Sequence, residues 1–182
     1  MTAAVLPGYE LRFGPAAFVR PVAARDADAR VAAGVALPAV HGLLYTLAAE
    51  DFAKVGTTEG VPFGYRWQSC RVHPYRGDGR RAGEEAWTRP EAVAVQAYTL
   101  GEPARAQPPG PRGDPPPSGS YLGLIREGAR RWQFDRAYQE ELAAVRAAAP
   151  GGGPFPEGWE GPALRWAEKV TSTSRSYMID RR

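Results

Sequence analysis

The chain has 182 residues, 43% of them hydrophobic, with 23 basic and 20 acidic side chains and a formal net charge of +3. That length and apolar share point to one ordered domain and exclude wholesale disorder. A lone cysteine, Cys70, excludes an intrachain disulfide scaffold, no apolar run approaches the ~20 residues of a membrane helix, and the small basic excess gives no ground for a nucleic-acid partner. The expectation is a soluble cytoplasmic protein with neither membrane nor nucleic acid among its partners. The 21 glycines and 18 prolines cluster locally, which predicts an ordered core interrupted by loose insertions.

Tyr9-Glu10-Leu11-Arg12-Phe13 alternates apolar and charged residues with the period of a half-buried strand. Residues 16–22 read as a second extended piece, and 23–34, rich in Ala, Arg and Asp, as a variable loop. Val40-His41-Gly42-Leu43-Leu44-Tyr45-Thr46-Leu47 is nearly continuous in apolar character and predicts a strand. Residues 48–55 then place Glu50 and Asp51 early and Lys54 late, the charge order that suits a helix dipole, with Gly56 as the expected C-cap and 57–62 as a turn.

Residues 65–73 alternate again and predict a strand, followed by a polar Gly- and Arg-rich loop over 74–90. Residues 91–100 are β-rich, with Val93, Val95, Ala97 and Thr99 on one face and Ala94, Gln96 and Tyr98 on the other, and pairing of these two strands is expected. The Pro-rich stretch 101–117 cannot form a helix or a central strand. After it, Ser118 or Ser120 can cap a helix over 119–132, and Asp135 one over 136–148, each with apolar residues at helical spacing. Strands first and paired helices last make an α+β fold whose antiparallel or mixed sheet curls around a core. The domain is expected over 1–148, with 149–182 as a tail, partly docked or flexible, that carries Trp159 and Trp166.

Little in this chain has the spacing of a cofactor or metal site. Two histidines, His41 and His73, and Cys70 show no metal-ligand pattern, and His73 falls on the strand face opposite Cys70, a poor place for its general base. The basic run Arg76-Gly77-Asp78-Gly79-Arg80-Arg81 reads as a solvated hairpin tip. The sharpest feature is Glu59-Gly60, a carboxylate in a turn beside a residue free to take an unusual backbone angle.

The ordered set Val40-His41-Gly42-Leu43-Leu44-Tyr45, Glu59-Gly60-Val61, Tyr65-Arg66, Val95-Gln96-Ala97-Tyr98, Pro116-Pro117-Ser118-Gly119-Ser120-Tyr121, Gly128-Ala129-Arg130 and Tyr138-Gln139-Glu140 resembles the γ-glutamylcyclotransferase family over roughly residues 9–145. The resemblance implies a small curved β-barrel flanked by helices. It implies a lyase that cyclises the γ-glutamyl part of a small substrate to 5-oxoproline, releasing an amino acid or amine, without metal or organic cofactor. It places the proton acceptor on Glu59 and a substrate-contacting or Glu-orienting tyrosine on Tyr121, with Tyr65 and Tyr98 lining the same substrate cavity. The family's opening strand and its Tyr-Gly-Ser-type loop have no counterpart before Tyr9. The alternative expectation is therefore a catalytically silent relative acting as a binding module.

Overall fold

The structure, a computed structural model, describes residues 1–13, 17–62, 65–101 and 115–149. Six strands form one sheet: β1 (Thr2–Pro7), β2 (Tyr9–Phe13), β3 (Ala17–Pro21), β4 (Ala39–Leu44), β5 (Arg66–Tyr75) and β6 (Val95–Gly101). Five helices accompany them: α1 (Ala24–Ala32), α2 (Ala49–Thr58), α3 (Ala82–Thr88), α4 (Gly119–Arg131) and α5 (Arg136–Ala144). The sheet order is β2-β3-β6-β5-β1-β4. All neighbours are antiparallel except β3 and β6, which run parallel through Val19 and Gly101. The sheet curls so that β2 and β4, its two edges, approach each other. The result is a mixed half-barrel with helices around it, the α+β architecture that the sequence predicts.

Contrary to the expectation that no opening strand precedes Tyr9, strand β1 does, and it is the centre of this arrangement between β4 and β5; its short Ala-rich sequence carries no alternation that would announce it. Ala3, Ala4, Val5 and Leu6 are all buried, as a strand covered on both faces must be. Gly8 turns the chain from β1 into β2 with φ +76°, the left-handed region open to glycine. Its amide donates to the Pro38 carbonyl at 2.8 Å, and its own carbonyl accepts from Val22 at 2.9 Å. One glycine thus ties β2, β3 and the entry to β4 together.

The expected pairing of β5 with β6 is found, from Arg66 opposite Gly101 to Val72 opposite Val95. Two expected loops contain helices. Residues 24–32 form α1, which has no buried residue, so it is a surface helix without the apolar stripe that would announce it. Residues 82–88 form α3, a seven-residue helix whose N-cap, Arg81, makes no capping hydrogen bond. Its cap comes from elsewhere. The Asp135 carboxylate, only 4% exposed, accepts the Gly83 amide at 2.8 Å and the Glu84 amide at 2.7 Å. Asp135 does stand at the N-cap of α5, as expected, but its side chain serves the neighbouring helix instead.

The basic run 76–81 is not a free hairpin tip. A Cβ at Gly77 would collide with the Trp132 carbonyl oxygen, and the Gly79 amide donates to the Gln133 carbonyl at 2.9 Å. This loop is pressed against the α4–α5 connection. Arg126 binds the other end of α5, donating to the carbonyls of Leu142, Ala143 and Val145 at 3.0, 3.0 and 2.8 Å. It supplies Ala143 and Val145 with donors that the helix itself lacks, and adds a second donor at Leu142, which also accepts the Val145 amide at 3.3 Å.

His41, buried on β4, accepts or donates at Nδ1 to the Tyr75 hydroxyl at 2.6 Å, and its ring lies 4.6 Å from that of Tyr138. His41 and Tyr138, with Asp135, line a hollow of about 1060 Å³ between α3, α5 and residues 36–39. A smaller hollow of about 300 Å³ lies between β2 and α5. The tail expected from residue 149 lies, from residue 150 on, outside the described residues, as does most of the Pro-rich stretch 101–117.

Candidate active site

Helix α2 runs three residues past the expected stop at Val55, and Glu59 is its C-cap residue. The Glu59 amide donates to the Val55 carbonyl at 3.0 Å. Gly60 and Val61 then close the end by donating to Thr57 at 3.1 Å and to Gly56 at 2.9 Å. Gly60 has φ +69°, so it is the left-handed residue that ends the helix, and Gly56 is an interior, buried one. The Glu-Gly pair is therefore a helix terminus that fixes the backbone under the carboxylate.

Tyr121 sits in the first turn of α4. Ser118 is the N-cap, and its hydroxyl accepts the Tyr121 amide at 3.2 Å. The Tyr121 hydroxyl accepts the Ala17 amide, also at 3.2 Å, which pins the phenol to the start of β3. With one lone pair taken by Ala17, the phenol's own hydrogen is free for another acceptor. Tyr65 immediately precedes β5.

These three groups feel one another electrostatically. Glu59 is half-buried, and that burial raises its carboxyl above the ordinary range. Its position at the negative end of the α2 dipole acts in the same direction. Burial pushes Tyr65 up to about 12, with smaller contributions from Tyr121 and Glu59. Burial also raises Tyr121; the Ala17 amide opposes this and the Glu59 charge adds to it. The site is thus a carboxylate with two protonated phenols within its field. Tyr65 and Tyr121 are neutral at physiological pH and can donate hydrogen bonds; Glu59 holds its proton to higher pH than a solvated glutamate does.

The structure does not bring Tyr98 into this group. Tyr98 projects from β6 on the helix-covered side, is 55% exposed, and packs its ring 5.6 Å from that of Phe52 on α2. Ala97 packs on the core and Tyr98 does not. Neither described hollow is lined by Glu59, Tyr65 or Tyr121.

Cys70 is buried with its thiol directed at the Ala97 carbonyl at 3.6 Å, and burial raises its pKa, which keeps it in the thiol form. Among the described residues no three His, Cys, Asp or Glu side chains converge as metal ligands, and no helix is long and apolar enough to cross a membrane.

No family model matches this sequence, and no curated protein does. Solved structures do match in shape. A γ-glutamyl cyclotransferase superposes with a TM-score of 0.58 at 15% identity, covering 91% of this chain and 84% of its own. An uncharacterized protein from Homo sapiens superposes with a TM-score of 0.53 at 17% identity, covering 81% and 74%. The fold is that of the γ-glutamyl cyclotransferase structure. At these identities the likeness speaks for backbone shape and leaves the chemistry to the residues of the site.

Proposed function

We propose that this chain is a γ-glutamylcyclotransferase-type lyase that converts a small γ-glutamyl compound to 5-oxoproline and a free amino acid or amine. The observation that carries the reading is the half-buried Glu59 at the end of α2, within the field of the Tyr65 and Tyr121 phenols, on a fold shared with a γ-glutamyl cyclotransferase.

The substrate's α-ammonium must first lose a proton. The Glu59 carboxylate accepts it, and its raised pKa narrows the gap between donor and acceptor. The freed amine nitrogen then attacks the γ-carbonyl carbon of the same molecule, forming the ring C–N bond. As the tetrahedral centre collapses, the bond to the leaving nitrogen breaks, Glu59 returns the proton to that nitrogen, and the ring nitrogen gives its remaining extra proton to the released amine, which leaves as an ammonium. Carboxylate and catalyst end as they began. Because attack is intramolecular, the protein's main task is to hold a near-attack geometry, for which no bound cofactor is required. The Tyr121 hydroxyl, oriented by Ala17, and the Tyr65 hydroxyl are the donors proposed to hold either the substrate or the Glu59 carboxylate in place.

The test is incubation of the purified chain with γ-glutamyl-alanine and quantification of 5-oxoproline. Product should form with the wild type and fall by about 10²–10⁴-fold in Glu59→Gln, the range for removing a general base. Equal rates for the two proteins, or no product from the wild type, would overturn the reading.

A further inference from the structure

Glu59 stands at the end of α2, and α2 rests on the sheet through Trp67. The Phe52 ring lies almost flat on the Trp67 ring of β5, with centroids 4.3 Å apart and planes 21° from parallel. Tyr98 flanks Phe52 from β6. One turn after Phe52, Gly56 brings the helix backbone down onto the same indole: a Cβ there would lie 3.2 Å from Trp67 Nε1 and 3.6 Å from Cε2 and Cζ2.

Phe52, Gly56 and Glu59 stand at i, i+4 and i+7, so they share one stripe of α2. The stripe that carries the carboxylate is the stripe that rests on the indole. The other polar side chains near the helix end turn back on α2 itself. Thr57 and Thr58 donate to the carbonyls of Ala53 and Lys54 at 3.1 and 3.0 Å, and Lys54 pairs with Asp51 at 3.1 Å.

We infer that Trp67 is a positioning residue for Glu59, setting the height and tilt of the last turn of α2 and hence the location of the carboxylate relative to Tyr65 and Tyr121. This inference rests on the reading of Glu59 as the reaction's base, and it gives Tyr98 a supporting part in the Phe52–Trp67 stack in place of substrate contact.

The test follows the Glu59 carboxyl carbon by NMR through a pH titration, the resonance being assigned by its loss in Glu59→Gln. In the wild type the midpoint should lie above the ordinary glutamate range, because the group is half-buried. Trp67→Ala and Gly56→Ala should each lower it by about half to one pH unit, as the carboxylate moves toward water. Trp67→Phe, which keeps an aromatic ring under Phe52, should retain the wild-type midpoint. With γ-glutamyl-alanine, kcat should fall by about ten- to a hundredfold in the first two variants and recover in the third, with KM changed far less, since a displaced base spoils the reaction geometry and not the binding.

Alanine is a better helix former than glycine, so Gly56→Ala decides the matter even if Trp67→Ala does not fold. An unchanged midpoint and unchanged kcat in Gly56→Ala, or in a folded Trp67→Ala, would reduce Trp67 to ordinary packing and overturn the inference. If the wild type makes no 5-oxoproline, the activity reading falls, while the titration midpoints still decide what Trp67 does.

Discussion

Asp135→Ala removes the only described side-chain cap at the amides of Gly83 and Glu84. The carboxylate is 4% exposed and accepts two amides at 2.8 and 2.7 Å. A hydrogen bond to a charged group contributes about 1.5–3 kcal/mol, which sets an upper bound near 6 kcal/mol for the pair. Glu84 lies at the exposed side of α3, so water can replace part of its bond, whereas Gly83 is buried and its amide would be left bare. The expected loss is about 3 kcal/mol, a large share of the ~5–15 kcal/mol that holds a domain together. Asn at 135 keeps one acceptor for Gly83 but must turn an amino group or an occupied oxygen toward Glu84, so its loss should be about half as large. Urea denaturation gives the free energies, and amide hydrogen exchange shows where they act. Amides of α3 should exchange faster in the variant than those of α4. A loss below about 1 kcal/mol with α3 protection intact would refute the account, because one buried donor without a partner already costs that much.

Because burial raises the Glu59 carboxyl, the ionised form destabilises the fold, and that cost grows as pH rises through the folded pKa. Glu59→Gln should therefore melt above the wild type at pH 7, with the gap closing at acidic pH, while the ascending acid limb expected of kcat/KM in the wild type should be absent from the variant. His41 shows the opposite slope. Burial lowers its pKa despite the opposing Asp135 charge, so the unfolded chain takes up a proton near pH 6.5 before the folded one does. Stability should fall as pH drops through that value and level off below the folded pKa, and urea midpoints of His41→Gln should lack this component. Arg126→Ala leaves the Ala143 and Val145 carbonyls at the end of α5 without its donors, while Leu142 keeps the Val145 amide, at a cost of about 2 kcal/mol after discount for partial exposure. Arg126→Lys should recover little in thermal melts, since a single ammonium cannot reproduce the guanidinium fork.

Local pattern carried much of this molecule. The alternation in residues 9–13 and 65–73, the apolar run at 40–47 and the helical spacing after Ser118 identified most of β2, β4, β5, α4 and α5, because each of these elements buries one side and shows its period in the chain. The Glu-Gly turn was visible as a place where a carboxylate and a left-handed backbone meet, although the stop of α2 was misplaced at Gly56 because glycine there serves contact with Trp67 and not the cap. What had no local signature was whatever depends on a distant partner. Strand β1 is central only because β4 and β5 flank it, and α3 starts where it does because a carboxylate fifty residues away caps it. Tyr65 and Tyr121 come into the field of Glu59 only when the end of α2, the entry to β5 and the start of α4 are folded together, and Tyr98 is kept out by the same sheet. Side-chain identity fixed which groups could do acid–base work; the packing of helix ends against the curled sheet decided which of them come within one another's electrostatic field.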